Sequence, residues 1–351
     1  MTTPLLITRD QSLLDEVGRL AAAAGVTPEI AGDPGDALRS WTSASVVLVG
    51  ADIGPGLVEV SPPRRAGVYV VGWGRLPDEL FRVAVGLGAE HVAELPRSAS
   101  WVLELLADAG EQQDRHGLTI AVTGGSGGAG ATTFACALAT IASRHGTSCL
   151  IDADPLGPGV DRVLGMDGVD GVRWDALEQT SGRMGARSLS EALPRRNGMG
   201  ILTWPAASAG TLQAFAAREA LSAAARGHDA VVLDLPRTGG ELVEELMARC
   251  QHLLVVVRAT VPGVAAATRF VTHARATGPV SLVVRGNGVD AAEVARLVGA
   301  PVVAAMTDQR GLDEAVDLGS GPVRSRRSVL ARASGEALQR LRGATADRPA
   351  A

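Results

Sequence analysis

A short apolar run at 118–123 leads directly into GGSGGAGATT at residues 124–133 and then into a stretch with helical spacing. This strand, Gly-rich turn and helix start constrain the fold more than any other segment. Free backbone N–H groups and the positive end of a helix dipole converge there, which is the geometry that cradles phosphate. Against the pattern G-x-x-x-x-G-K-[ST], Gly125 and Gly130 match the glycines, and Thr132 matches the hydroxyl that would hold Mg2+. Ala131 stands where the lysine should be. Gly-rich turns are common, so this stretch alone leaves a phosphate site and an ordinary turn equally open.

Two later segments weight the choice. The run 149–161, CLIDADPLGPGVD, places Asp152 and Asp154 at the end of a second apolar strand. Val231-Val232-Leu233-Asp234-Leu235-Pro236 places an acid after a third, where a carboxylate can hold the water shell of Mg2+ near phosphates. Asp152 and Asp154 could assist Mg2+ or an attacking water; the alternative for both is capping of the following helix.

At these residues the chain resembles the MinD/ParA family of deviant Walker A ATPases, over about 118–315. The family loop K-G-G-x-G-K-[ST]-[ST] aligns with Ser126, Gly127, Gly128, Ala129, Gly130, Ala131, Thr132 and Thr133. Ile151-Asp152-Ala153-Asp154-Pro155 looks like its switch I, and Asp234-Leu235-Pro236 like the start of switch II. The resemblance implies ATP or ADP with Mg2+ as ligand, Thr132 and Asp234 on the metal, Asp154 and Asp152 as candidate catalytic groups, and a homodimer. Both family lysines are replaced, by Ser126 and Ala131. A charge-assisted contact contributes about 1.5–3 kcal/mol, roughly one to two decades of affinity, and more in a phosphoryl-transfer transition state. Weak nucleotide binding with little or no intrinsic hydrolysis is the expectation. All 33 basic residues are arginine, so only arginine could substitute. Arg237 is the nearest by motif, although a solvated loop arginine is the simpler reading. The family reads adenine with an Asn-Arg pair; here Arg285-Gly286-Asn287 offers Asn287 as the base contact or as an ordinary turn residue.

Ahead of this region, strand runs near 4–8, 45–49, 67–71 and 91–95 alternate with helical spacing, the size and pattern of a receiver domain. The expected organisation is a degenerate receiver-like (CheY-like) α/β domain at 1–108, a polar linker at 109–117, a P-loop α/β domain at 118–343 with a mostly parallel sheet covered by helices on both faces, and a disordered tail at 344–351. Receivers need an aspartate at the end of the third strand. Here that strand ends in Gly50, and Asp52 comes two residues late. A docking role fits the unit better than phosphotransfer. The two-domain plan resembles the CpaE/TadZ branch of pilus and secretion loci, and the Arg- and Ala-rich version resembles actinobacterial septum-site-determining proteins. The resemblance implies spatial control of septum formation, with a pilus or secretion localisation factor as the alternative, and partners in either machinery.

The net charge of −5 gives no global basic field to bind nucleic acid non-specifically, and no sequence-specific nucleic acid is expected as a partner. Cys136, Cys149 and Cys250 lack metal or disulfide spacing and read as buried apolar residues of a reducing compartment. No signal peptide or spanning helix is evident, which points to the cytoplasm. The stretch 324–342 is Arg-rich, with Val329, Leu330, Ala333, Ala337, Leu338 and Leu341 as an apolar stripe. It reads either as a last helix packed on the domain or as a basic amphipathic helix making peripheral membrane contact.

Overall fold

Strands that are apolar on both faces and alternate with helices bury themselves only in parallel sheets covered on each side. The computed structural model describes residues 3–110, 117–177, 183–205, 210–238, 240–275 and 277–346. The chain divides into two compact units, Met1–Arg115 with Ser181–Arg187, and His116–Thr180 with Ser188–Ala351. Most of the expected linker (111–116) and of the expected tail (347–351) lies outside the described residues. Residues 344–346 are the end of the helix Val329–Ala346, not part of a tail.

The first unit holds β1 (Leu5–Ile7), β2 (Glu29–Ala31), β3 (Val47–Gly50), β4 (Val68–Trp73) and β5 (His91–Leu95). All pair in parallel, in the order β2-β1-β3-β4-β5, the order of flavodoxin-like and CheY-like folds. Side chains alternate across a strand, and two cores follow from that. Leu5, Ile7, Val47, Val49, Val68 and Val70 face one side. Leu6, Leu48, Tyr69 and Val71 face the other, against Leu13, Val17, Val102 and Leu106. The strand β2 gives no clear sequence signal, because it is three residues long and two of them are exposed.

The receiver position is closed in a specific way. The Asp52 carboxylate accepts from the Thr8 hydroxyl at 2.7 Å and from the Arg9 amide at 2.7 Å. A Cβ on Gly50 would collide with Asp52 Oδ1 and Thr8 Oγ1. Asp52 therefore fills the space that a side chain at the end of β3 would need.

The second unit holds β6 (Leu118–Gly124), β7 (Ser148–Asp152), β8 (Arg195–Arg196), β9 (Met199–Leu202), β10 (Ala230–Asp234), β11 (His252–Arg258), β12 (Val280–Arg285) and β13 (Val302–Met306). Their order is β13-β12-β11-β6-β10-β7-β9-β8, parallel except for the β8–β9 pair. One face packs Ile120, Val122, Leu150, Val232, Leu254 and Val256 against the helix Ala131–Ala142 and the last helix. The apolar stripe of that last helix is the part that is buried: Leu330, Ala333, Ala337, Leu338 and Leu341 are all under 4% exposed. The stripe belongs to the domain core, the first of the two readings given for this helix. Among the described residues no helix is long and apolar enough to cross a membrane. The three cysteines are free and buried.

Candidate functional site

Parallel pairing builds the site. β10 lies between β6 and β7, with Asp234 in register with Val122 on one side and Asp152 on the other. Two acids thus leave adjacent strands side by side, next to the turn that follows β6. Both are buried. Burial, together with the charge on Asp152, pushes the Asp234 carboxyl up to about 8, although a hydrogen bond from the Thr132 side chain pulls it down. Burial also raises Asp152, to about 6, against hydrogen bonds that favour its ionised form. Two neighbouring buried carboxylates disfavour double ionisation. A cation would relieve the repulsion.

The turn between β6 and the helix Ala131–Ala142 is built for close approach. Gly125 packs so tightly on the helix Val261–Ala274 that a Cβ would come within 2.7 Å of the Ala267 methyl. Gly128 and Gly130 adopt positive φ of 69° and 91°, a region where glycine is at ease. The space beside Gly127 and Gly128 is open, and both are exposed. Phe134 makes the first intrahelical bond, to the Gly130 carbonyl at 2.9 Å. The amides of Ala131, Thr132 and Thr133 therefore have no acceptor within the helix, and these residues are only half-buried. Ser126 is also half-buried, whereas Ala129 is buried.

The remaining expected residues divide. The Asp152 carboxylate accepts from the Thr203 hydroxyl at 2.8 Å and from the amides of Asp154 at 3.1 Å and Val160 at 3.3 Å. Its backbone carbonyl accepts from Trp174 Nε1 at 2.7 Å, and Trp174 lies 5.8 Å from Trp204 between ring centroids. Asp154 sits in the following turn, its carboxylate holding the Leu156 amide at 3.0 Å. The helix-capping reading thus holds in part for Asp152, which bonds the first amide of the helix Val160–Leu164 while also facing Asp234. Arg237 is exposed and lines a separate cavity of about 410 Å³ with Val243, Met247 and Phe270. Asn287 is exposed in the bend after β12. Among the described residues neither Arg237 nor Asn287 bonds the loop.

Arg285, the last residue of β12, does. Its Nη1 donates to the Ala129 carbonyl at 3.3 Å, and its Nε donates to Asp308 Oδ1 at 2.6 Å. A Cβ on Gly130 would come within 2.6 Å of the same Nη1. The sequence names this residue only as half of a reversed Asn-Arg pair. It lies 156 positions from Ala129, and only the strand order shows that it reaches the loop.

A metal fits this arrangement in part. Among the described residues no cluster of three or more His, Cys, Asp or Glu side chains could hold one unaided. Mg2+ is usually held by one or two carboxylates with waters and phosphate oxygens. Thr132 and the acid pair offer such a partial shell.

Residues 7–117 match a family described as the Rv3660c-like, CheY-like N-terminal domain. Over 338 residues the chain is 33% identical to the Mycobacterium tuberculosis protein Rv3660c, covering 93% of this chain and 94% of that one. Among solved structures, the MinC:MinD cell division protein complex of Aquifex aeolicus matches with a TM-score of 0.54 at 19% identity, over 64% of this chain and 96% of that one. A ParA family ATPase from Chlorobium tepidum matches with a TM-score of 0.54 at 13% identity, over 63% and 98%. The septum site-determining protein MinD of Pyrococcus horikoshii, complexed with Mg-ADP, matches with a TM-score of 0.51 at 17% identity, over 66% and 99%. At these identities the likeness is one of fold: the second unit has the MinD/ParA architecture.

Proposed function

The chain belongs to the family of the Mycobacterium tuberculosis protein Rv3660c, and from that premise we propose that it is a nucleotide-binding regulator of the division and partition type. One observation carries the reading: two buried carboxylates, Asp234 and Asp152, stand in register on adjacent strands beside a Gly-rich turn whose three following helix amides have no acceptor within the helix. The first unit is the receiver-like one and the second the P-loop one. The phosphates of ADP or ATP would be held by Gly125, Ser126, Gly127, Gly128, Ala129, Gly130, Ala131, Thr132 and Thr133. Thr132 and Asp234 would hold Mg2+, and Asp152 and Asp154 are the candidate catalytic acids beside it. The metal, when bound, supplies charge neutralisation for the phosphates. The chain's own residues supply the cradle of amides and the acid pair. A MinD solved with Mg-ADP supports this choice of ligand.

Because Ala131 and Ser126 stand at the two lysine positions, binding is weak and turnover slow. The nucleotide acts as a conformational and dimerising ligand more than as a fuel. The biological address we favour is septum placement in the cytoplasm, supported by MinD proteins among the fold neighbours. The closed Asp52 position supports a docking role for the first unit. Since the last helix spends its apolar stripe on the core, any membrane contact belongs to a partner or to another surface. Calorimetry with Mg2+-ATP and Mg2+-ADP, followed by sedimentation with each nucleotide, tests the reading. Saturable heat and an ATP-dependent dimer are expected. No heat at millimolar nucleotide rejects it. Labelled protein at a pilus or secretion pole instead of the septum would move the address and leave the chemistry standing.

A further inference from the structure

A phosphate loop without lysine raises the question of where its positive charge comes from. Three arginines stand at or just after the ends of strands in the second unit: Arg258, Arg285 and Arg237. Arg258, at the end of β11, is exposed. Arg237 opens onto the cavity beside Phe270. Only Arg285 touches the loop among these three, through the Ala129 carbonyl, with its Nη1 close to Gly130.

The guanidinium is partly sheltered, with a side chain 28% exposed, and it is aimed by Asp308, which is itself 67% exposed. An arginine carries five N–H donors in a rigid fork. Two of these are engaged, one by Asp308 and one by Ala129. The others have no partner among the described residues, at the residue where the loop turns into the helix start. Gly130 has φ +91° and no side chain to intervene. A charged fork at this place is suited to an anion carried by the loop, and arginine meets phosphate through more than one donor.

We propose that Arg285 is the cationic group of this phosphate loop: it latches the loop through Ala129 and presents its free donors to the phosphates of a bound nucleoside polyphosphate. The charge that a lysine within the loop would bring is delivered from a neighbouring strand. Asp308 holds the guanidinium in place and partly offsets its charge. The assignment rests on the nucleotide reading given above and adds a residue to that site.

The test is a titration of full-length wild type, Arg285→Gln and Arg285→Lys with fluorescent mant-ATP and mant-ADP in Mg2+, repeated at low and high salt, with a melting curve of each protein without nucleotide. Glutamine keeps a donor for Ala129 and loses the charge; lysine keeps the charge. R285Q is expected to bind roughly ten- to a hundredfold more weakly than wild type. R285K should recover a substantial part of the loss, and the affinity of wild type should fall more steeply with salt than that of R285Q. Wild-type binding that R285Q leaves unchanged overturns the role. Equal losses in R285Q and R285K, with the same salt slope as wild type, also overturn it, because a latch without a charge contribution would give that result. Should R285Q fail to fold, R285K and the wild-type salt slope decide: no salt dependence and a lysine variant as weak as an unrelated loop mutant reject the proposal. Absence of binding by wild type rejects the nucleotide reading itself, and Arg285's role with it.

Discussion

Replacing Asp234 with asparagine isolates the electrostatic load at the end of β10. Asparagine keeps nearly the same shape, but it cannot ionise. In the native protein the Asp234 carboxyl sits at about 8, raised from 3.8 mainly by burial and then by Asp152. An acid raised in this way makes the native state bind a proton that the unfolded state has already lost, so stability falls as pH climbs towards the folded value. The slope is about 1.4 kcal/mol per pH unit. Integrated from pH 6 to 8, with half-titration at the upper end, it amounts to about 2 kcal/mol. At roughly 2–4 °C per kcal/mol for a unit of this size, the wild-type melting point should drop by about 4–8 °C more than that of Asp234→Asn over the same range. Scanning calorimetry of both proteins without metal, at pH 6, 7 and 8, measures the difference directly. The variant should gain on wild type at each step upward. Parallel pH profiles would refute the reasoning, because the buried acid would then not be the group that carries the load.

Three further outcomes follow from the same structure. Restoring the loop lysine with Ala131→Lys should tighten Mg2+-ATP binding by about ten- to a hundredfold and raise ATP turnover, measured by calorimetry and phosphate release; no change in either would mean that the loop does not face a phosphate. Leu338→Ala, which empties a buried position on the last helix, should cost about 2–5 kcal/mol in urea unfolding, and the full chain should not pellet with anionic liposomes. Incubation with acetyl phosphate should leave the first unit unmodified, since the Asp52 carboxylate is tied to Thr8 and Arg9; an acid-labile phosphoryl group at Asp52 by mass spectrometry would contradict this.

Local features were the legible ones. A strand, glycines and a helix start are contiguous between 118 and 142, so periodicity and turn chemistry locate them without knowledge of the rest. Asp234 was legible for a similar reason, because an acid closing an apolar strand stands out. The two-residue strand β8 and the exposed strand β2 were not, since neither is long enough to show a period. The last helix shows why an apolar stripe is ambiguous: the same spacing serves a core or a bilayer, and only its packing against the helix Ala131–Ala142 chooses. Arg237 and Arg285 show the limit of reasoning by motif proximity. Arg237 is three residues from Asp234 in the chain yet opens onto another groove. Arg285 reaches the loop because β12 stands two strands from β6, a neighbourhood fixed by the order of the whole sheet.

The indole pair beside Asp152 gives this protein an optical probe of its own. Of its five tryptophans, Trp41, Trp73 and Trp101 lie in the first unit. Trp174 and Trp204 lie in the second, where the Trp174 N–H is tethered to the Asp152 carbonyl and Thr203, beside Trp204, bonds the Asp152 carboxylate. Any rearrangement of the Asp152 segment must therefore disturb one ring or the other, and near-ultraviolet emission would record it without a label. With the first-unit tryptophans replaced by phenylalanine, stopped-flow mixing could time the site's response to a ligand, and separate a fast docking step from a slower refitting of the turn around it.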